Sequence, residues 1–303
     1  LFVPLPVHGQ ELVLAIKFIQ TALDEKKQAS TEKTLIEALI KNMGRYYPER
    51  SHKTVHASDV TKPDFCPRKY RLMDISGAKS SDSYISTALR ATFDLGSMVA
   101  DRLVEDWMGD RAHGFWVCPV CEKQSLFGPK PKTSCCTAGT KWKHKEVKFF
   151  SETAHISGSL DLIADLGGPK LKVVELKTIK TEDFDKLAAP LAEHRLRTRL
   201  YLKLIEDSTN PIRFMLDTDS AKILYVSKGF GKMNPDYGQI LPFKEFDVQR
   251  DDESIGTYLG YGQDVRIARE QGSIPITKIC PSIACPTAKA CQVKAMCWSG
   301  AHP

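Results

Sequence analysis

Residues 154–178 constrain this chain more than any other stretch. AHISGSLDLIAD and KLKVVELKT alternate apolar and polar side chains, and Gly167-Gly168-Pro169 between them is a strong turn signal. Two antiparallel strands are expected, at 154–165 and 170–178. Side chains two apart on a strand share a face. Glu175 and Lys177 therefore lie together, Val174 and Leu176 face the other way into a core, and the turn can bring Asp161 beside Glu175.

Two carboxylates at one site repel each other unless a cation sits between them. Mg²⁺ or Mn²⁺ prefers such hard oxygen ligands, and Asp161, Glu175 and the backbone carbonyl of Leu176 form a candidate set. Such a metal can polarise a phosphodiester, favour a nucleophilic water and stabilise the leaving oxygen. Lys177 can position that water or stabilise charge on the phosphate. Glu146, on the preceding strand, is a weaker candidate. The plain alternative is a hairpin with exposed charges, because D-x(13)-E-x-K by itself is a loose pattern.

The rest of the chain reads as α/β. Helical periodicity is expected over 10–26 and 31–43, with capping-box spacing at Thr34 and Glu37 and earlier caps at Ser30 and Thr31. A turn at 63–67 opens a basic helix, and 86–108 reads as one long amphipathic helix. Further strands are expected at 146–150, 222–228 and 244–248, with helices at 187–206 and 251–270. The expected division is an N-terminal helical lobe (1–56), a helical part of the main domain (57–110), an insertion (111–145), a core (146–250) and a C-terminal segment (251–303).

The nine cysteines fall into three groups: Cys66; Cys118, Cys121, Cys135 and Cys136; and Cys280, Cys285, Cys291 and Cys297. An odd, clustered count in an intracellular chain favours metal ligation over disulfides. Cys118-Pro-Val-Cys121 is a zinc-type knuckle that Cys135 and Cys136 can complete. Adjacent ligands are unusual, so His113 and His144 are substitutes, and a redox Cys-x-x-Cys pair is the alternative. A segment this short and polar needs its metal to fold. Its lysines, Lys130, Lys132, Lys141, Lys143 and Lys145, either touch nucleic acid or are merely solvated.

A net charge of +6 permits a polyanionic partner without requiring one. No apolar run reaches 18 residues, so no membrane partner is expected. Residues 1–7 lack a basic flank and a cleavage signature, which makes an intracellular location the expectation.

The Gly158 lead-in, the apolar Leu162-Ile163 and Val173-Val174, and Thr178 after the lysine resemble the RecB-like branch of the PD-(D/E)XK nuclease superfamily. In pieces the resemblance extends over 57–303. It implies a restriction-endonuclease-like core, with a mixed central sheet flanked by helices and catalysis by Asp161, Glu175 and Lys177. The family's Gln-x-x-x-Tyr helix, often preceded by His, matches His194 to Tyr201, with Arg197 in place of Gln. Arg197, Tyr201, Arg195 and Thr178 are then DNA contacts or site braces, and Arg199 and Lys203 add positive charge. The family's Gly-x-x-x-His matches Gly96 to Ala100, where alanine cannot ligate a metal.

Cys66 with the C-terminal cysteines resembles the iron–sulfur nucleases of the same branch, the CRISPR-associated exonucleases and AddB-type helicase–nucleases. That resemblance implies a [4Fe–4S] cluster stapling the chain ends. Cys66, Cys285, Cys291 and Cys297 are the favoured ligands, with Cys280 as substitute; a second zinc site or free thiols are the alternatives. The implied activity is a metal-dependent exonuclease on single-stranded DNA or duplex ends, in recombination, repair or CRISPR-type processing. It would act in the cytoplasm, including that of a phage-infected cell, beside recombination or CRISPR adaptation proteins. A catalytically weakened DNA-binding protein of the same fold and a structure-specific endonuclease are the alternatives.

Overall fold

The alternating pattern around residues 154–178 folds into three strands rather than two, and the break falls at Asp161. The fold comes from a computed structural model, described over residues 35–43, 53–77, 86–136, 139–229, 233–234 and 238–299. By its contacts the chain forms two units, 1–49 with 85–90 and 50–84 with 91–303. The first holds helix α1 (Leu35–Met43). The helix expected over 10–26 and the caps Ser30, Thr31 and Thr34 lie outside the described residues.

The second unit begins with β1 (Val55–His56), α2 (Ala57–Val60) and α3 (Pro67–Ser76). Helix α4 (Thr87–Arg102) enters it and runs into a π-helical turn at Leu103–Trp107 and a 3₁₀ turn at Gly109–Arg111. Then come β2 (Ala112–Val117), β3 (Gly128–Pro129), β4 (Lys143–Lys145), β5 (Val147–Ser151), β6 (Ile156–Leu160), β7 (Leu162–Ala164) and β8 (Leu171–Ile179). Helices α5 (Thr181–Lys186) and α6 (Ala192–Asp207) follow, then a 3₁₀ turn (Pro211–Met215) and β9 (Leu216–Ser227). The chain closes through β10 (Met233–Asn234), β11 (Gln239–Ile240), β12 (Phe243–Gln249), α7 (Asp252–Glu270), α8 (Pro286–Lys289) and α9 (Lys294–Trp298).

The result is a mixed α/β fold. A seven-stranded sheet runs β12-β9-β8-β7-β2-β3, with β4 also on β2, and a three-stranded sheet runs β1-β6-β5. The β8–β9 pair is parallel, with Glu175 opposite Ile223 and Lys177 opposite Tyr225; β7 and β8 are antiparallel, with Leu162 opposite Val174. Strand β6 belongs to the small sheet and β7 to the large one. Asp161 is the residue at which the chain changes sheets.

Several boundaries differ from the sequence reading. Val55 and His56 pair with Ile156 and Ser157, so they join the second unit instead of the lobe expected to end at 56. The insertion expected from 111 begins only after β2. That strand buries Ala112, Gly114 and Trp116 on one face, and small residues hide the alternation from any hydropathy pattern. The long helix expected to 108 changes pitch at Leu103. The expected helix at 187–206 is α6 alone, with α5 a separate short turn, because Pro190 disfavours helical backbone in the residue before it and lacks the N–H an interior turn requires.

Strand β8 is buried on both faces. Val173 packs in a cluster with Phe149, Ile156, Leu200 and Tyr201. Val174 and Leu176 pack in another with Leu103, Val104, Trp116 and Trp142, against which Val99 and Ala100 of α4 also lie. One face of β8 is thus covered by α6 and the other by α4 and the cysteine insertion.

Candidate active site

Asp161, at the junction of the two sheets, accepts a hydrogen bond through Oδ2 from the Leu176 backbone N–H at 2.9 Å. That bond ties it to the middle of β8, one residue from both Glu175 and Lys177. The Lys177 ammonium lies 3.9 Å from Asp161 Oδ2, touches Glu175 Oε1 and donates to the Leu176 carbonyl at 3.1 Å. Asp161, Glu175, Leu176 and Lys177 are therefore gathered at one point.

Glu175 is only 2% exposed. Neither of its oxygens has a hydrogen-bond partner of good geometry among the described residues, although Lys177 and Arg197 stand close enough to pair with Oε1. Burial first, and the Asp161 charge second, push its carboxyl up to about 7 against the opposing pull of Lys177 and Arg197. An under-coordinated, buried carboxylate beside a second one suits a hard divalent cation. Glu146, between β4 and β5, keeps an exposed side, and partial desolvation followed by the Asp161 charge holds its carboxyl above its usual range.

Helix α6 covers this point. Arg197 Nη1 stands 3.6 Å from Glu175 Oε1, and Nη2 donates to Glu193 at 2.9 Å. Tyr201 is buried, its phenol pushed far up by burial and by the charges of Glu175 and Asp161, so it stays neutral. Its ring occupies the space a side chain at Gly158 would need: a Cβ there would lie 2.7 Å from the ring. His194 bonds the Tyr225 hydroxyl through Nδ1 at 2.8 Å, and burial, Lys177 and Arg197 lower its imidazole to about 4. Tyr225 is a residue the sequence reading missed; a tyrosine inside an apolar strand carries no local signal of a polar role.

The other basic residues of α6 divide. Arg199 is pinned to the β12–α7 junction through the Gln249 carbonyl, Ser254 and Asp251, and Lys203 pairs with Glu206 and Asp207. These two are structural, contrary to a uniformly phosphate-facing helix. Arg195 is exposed. On the opposite face, a Cβ at Gly96 would lie 3.0 Å from Thr178 Oγ1, so α4 crosses β8 closely at this position. Ala100 packs in the apolar cluster beneath. The next residue, Asp101, is electrostatically linked to Glu105 and Glu146, which adds a carboxylate the sequence reading did not select.

The thiols of Cys118, Cys121, Cys135 and Cys136 all lie within 4.8 Å of one another, with Cys118–Cys136 at 3.8 Å and Cys121–Cys135 at 3.5 Å. Sulfurs about 2.3 Å from a tetrahedral zinc stand roughly 3.8 Å apart. The group can hold a single metal ion, and both adjacent cysteines take part. His113 and His144 serve elsewhere: His113 bonds the Arg111 carbonyl, and His144 lies edge-on to Trp116.

The insertion is clamped to the π-helical turn by charge. Buried Glu105 accepts from Lys143 Nζ at 2.9 Å and from the His144 N–H at 3.1 Å, and Lys130 donates to the Glu105 carbonyl. Asp106 faces Lys130 and Lys141, and Asp110 faces Lys132. Lys130, Lys132, Lys141 and Lys143 are therefore engaged in holding the insertion against these turns.

The C-terminal tail folds back onto α3. Arg68 donates to the carbonyls of Pro275 and Cys297, and its N–H bonds the Thr277 carbonyl. Cys66 caps α3 and Cys285 caps α8, their sulfurs accepting from Lys69 N and Ala288 N. Cys280 interacts with Cys285, Cys66 and Cys291, but among the described residues only the four insertion cysteines are gathered closely enough to form a metal-holding group.

Among the described residues no helix is long and apolar enough to cross a membrane. No family model matches the chain, and neither does any curated protein. Among solved structures the chain is similar to SSO0001, at 15% identity over 77% of this chain and 85% of that one, with a TM-score of 0.37. It is likewise similar to LHK-Exo in complex with dAMP, at 12% identity over 78% of this chain and 93% of that one, with a TM-score of 0.39.

Proposed function

We propose that the chain is a divalent-metal-dependent deoxyribonuclease with a PD-(D/E)XK core, acting as an exonuclease on single-stranded DNA or duplex ends. The observation that carries this reading is the buried Glu175 carboxylate, which stands beside Asp161 with only the charges of Lys177 and Arg197 against Oε1 and no hydrogen bond of good geometry to either oxygen. Asp161, Glu175 and the Leu176 carbonyl would hold Mg²⁺ or Mn²⁺, with Glu146 at its edge. The bound ion supplies a polarised phosphodiester and an activated water. Lys177 steadies negative charge on the phosphate, while Arg197 and Tyr201 brace Glu175 and approach the substrate.

We further assign zinc to the Cys118–Cys121–Cys135–Cys136 group, and a [4Fe–4S] cluster to Cys66 with four candidate tail cysteines. Cys280 contends for a ligand place on its proximity to Cys285. Iron and acid-labile sulfide after anaerobic purification, lost in Cys66→Ser, test the cluster.

A second reading, binding with weak cleavage, is favoured by Arg197 at Glu175 and alanine at position 100. The experiment is release of labelled nucleotides from linear single- and double-stranded DNA with Mn²⁺, using the natural sequence, Glu175→Ala and Ala100→His. Release abolished in Glu175→Ala supports the nuclease; no release from either other protein rejects it. A circular substrate, which offers no end, separates exonuclease from endonuclease.

A further inference from the structure

Beside the carboxylates, an open groove of about 620 Å³ lies between the cysteine insertion and β5. Phe115 of β2, Gln124 of the knuckle loop, Lys145, Glu146, Lys148 and Asn210 line it. Three features give it a direction and a chemistry.

Glu146 lines the groove and directly precedes Val147, whose pairing with Leu160 sets Glu146 beside Asp161, so the groove leads to the site. The lining carries two lysines, whereas Lys130, Lys132, Lys141 and Lys143 of the insertion are paired with acidic residues. Lys145 donates to the neutral Gln124 amide at 3.0 Å, and Lys148 is exposed on β5. The size also discriminates, since ~300–1,000 Å³ is the scale of a site for one compact organic ligand, roughly one or two nucleotides. A duplex, with its bases paired and stacked inside, cannot present a base to a site of that scale. An unpaired base can stack on an aromatic ring in sequence-tolerant fashion.

We propose that this groove is the track by which a single nucleic-acid strand reaches the carboxylates, with phosphates on Lys145 and Lys148 and a base against Phe115 and Asn210. The assignment rests on the nuclease reading of the site and narrows its substrate to an unpaired strand. Strand guidance becomes a task of the cysteine insertion, which supplies Gln124 and Lys145.

The test is binding of a labelled short oligothymidylate and of a blunt hairpin duplex, followed by fluorescence anisotropy over a salt series. Ca²⁺ replaces Mn²⁺ so that cleavage does not intervene. Lys148→Ala should weaken oligothymidylate binding about fivefold and lower its salt slope by about 0.7, the loss of one single-strand phosphate contact. Phe115→Leu should weaken it about tenfold through lost stacking, with little change in slope. Thermal melts accompany both variants; Lys148 is exposed, so its variant decides the matter if Phe115→Leu loses stability.

Unchanged oligothymidylate affinity and slope in Lys148→Ala would overturn the proposal, as would an equal loss on the hairpin duplex. Nucleotide release that disappears in Glu175→Ala while Lys148→Ala binds normally leaves the nuclease and removes the groove. Weakened, slope-reduced binding in Lys148→Ala without any Mn²⁺-dependent release keeps the groove and removes the nuclease.

Discussion

Glu175→Gln isolates the most costly group in the site. In the fold its carboxyl is raised from 4.5 to about 7. A raised value means that the folded chain keeps a proton the unfolded chain has already released. The associated stability is fully present below pH 4.5 and is lost as the pH rises through about 7. That difference corresponds to roughly 3 kcal/mol between pH 4.5 and pH 8. Glutamine is close in shape to the protonated acid and cannot ionise. The substitution should therefore leave stability near pH 5 almost unchanged and raise it by roughly 2–3 kcal/mol at pH 8 without added divalent metal.

Urea denaturation of both proteins at the two pH values reads this difference directly, because all other titrating groups are shared. Mn²⁺ adds a second arm. An ion held by Asp161 and Glu175 stabilises the natural protein at pH 8 by mass action and stabilises Glu175→Gln far less. Parallel stability profiles against pH, or equal stabilisation of the two proteins by Mn²⁺, would refute the argument that Glu175 is a buried carboxylate awaiting a cation.

Gly158→Ala sets a Cβ 2.7 Å from the Tyr201 ring and should cost about 1–3 kcal/mol in denaturant melts, with nuclease activity falling further than stability. Glu105→Ala removes a buried acceptor from Lys143 and the His144 N–H; a loss of about 1–3 kcal/mol is expected, measured by thermal melting and by faster proteolysis of the insertion. Cys118→Ser should abolish stoichiometric zinc in elemental analysis and shift the fluorescence of Trp116 and Trp142, which pack in the same cluster. Lys177→Ala should lower the cleavage rate by ~10²–10³-fold while DNA affinity changes much less, read by single-turnover assays beside binding.

The sequence by itself determined the elements that depend on local chemistry. Alternation and the Gly-Gly-Pro turn specified β7 and β8 and put Glu175 and Lys177 together, because strand periodicity is a backbone property. The Cys-x-x-Cys knuckle with its adjacent pair was legible because thiols at that spacing converge wherever the loop closes. The pattern likewise marked β12 and α7 to within one residue at each end, and the second half of β9, whose first half from Leu216 was not foreseen.

Only the tertiary structure decided the rest. The change of sheet at Asp161 depends on which strands β6 and β7 find as partners, far away in sequence. Strand β2 was hidden because alanine and glycine fill two of its three buried positions, leaving Trp116 as the one large side chain on that face. Lys130, Lys132, Lys141 and Lys143 looked available until Glu105 and Asp106 of the π-helical turn and Asp110 of the 3₁₀ turn were brought against them. Periodicity records which face of an element is buried, but not which distant charge it meets, and at this site the long-range pairings determine what each ionisable group can do.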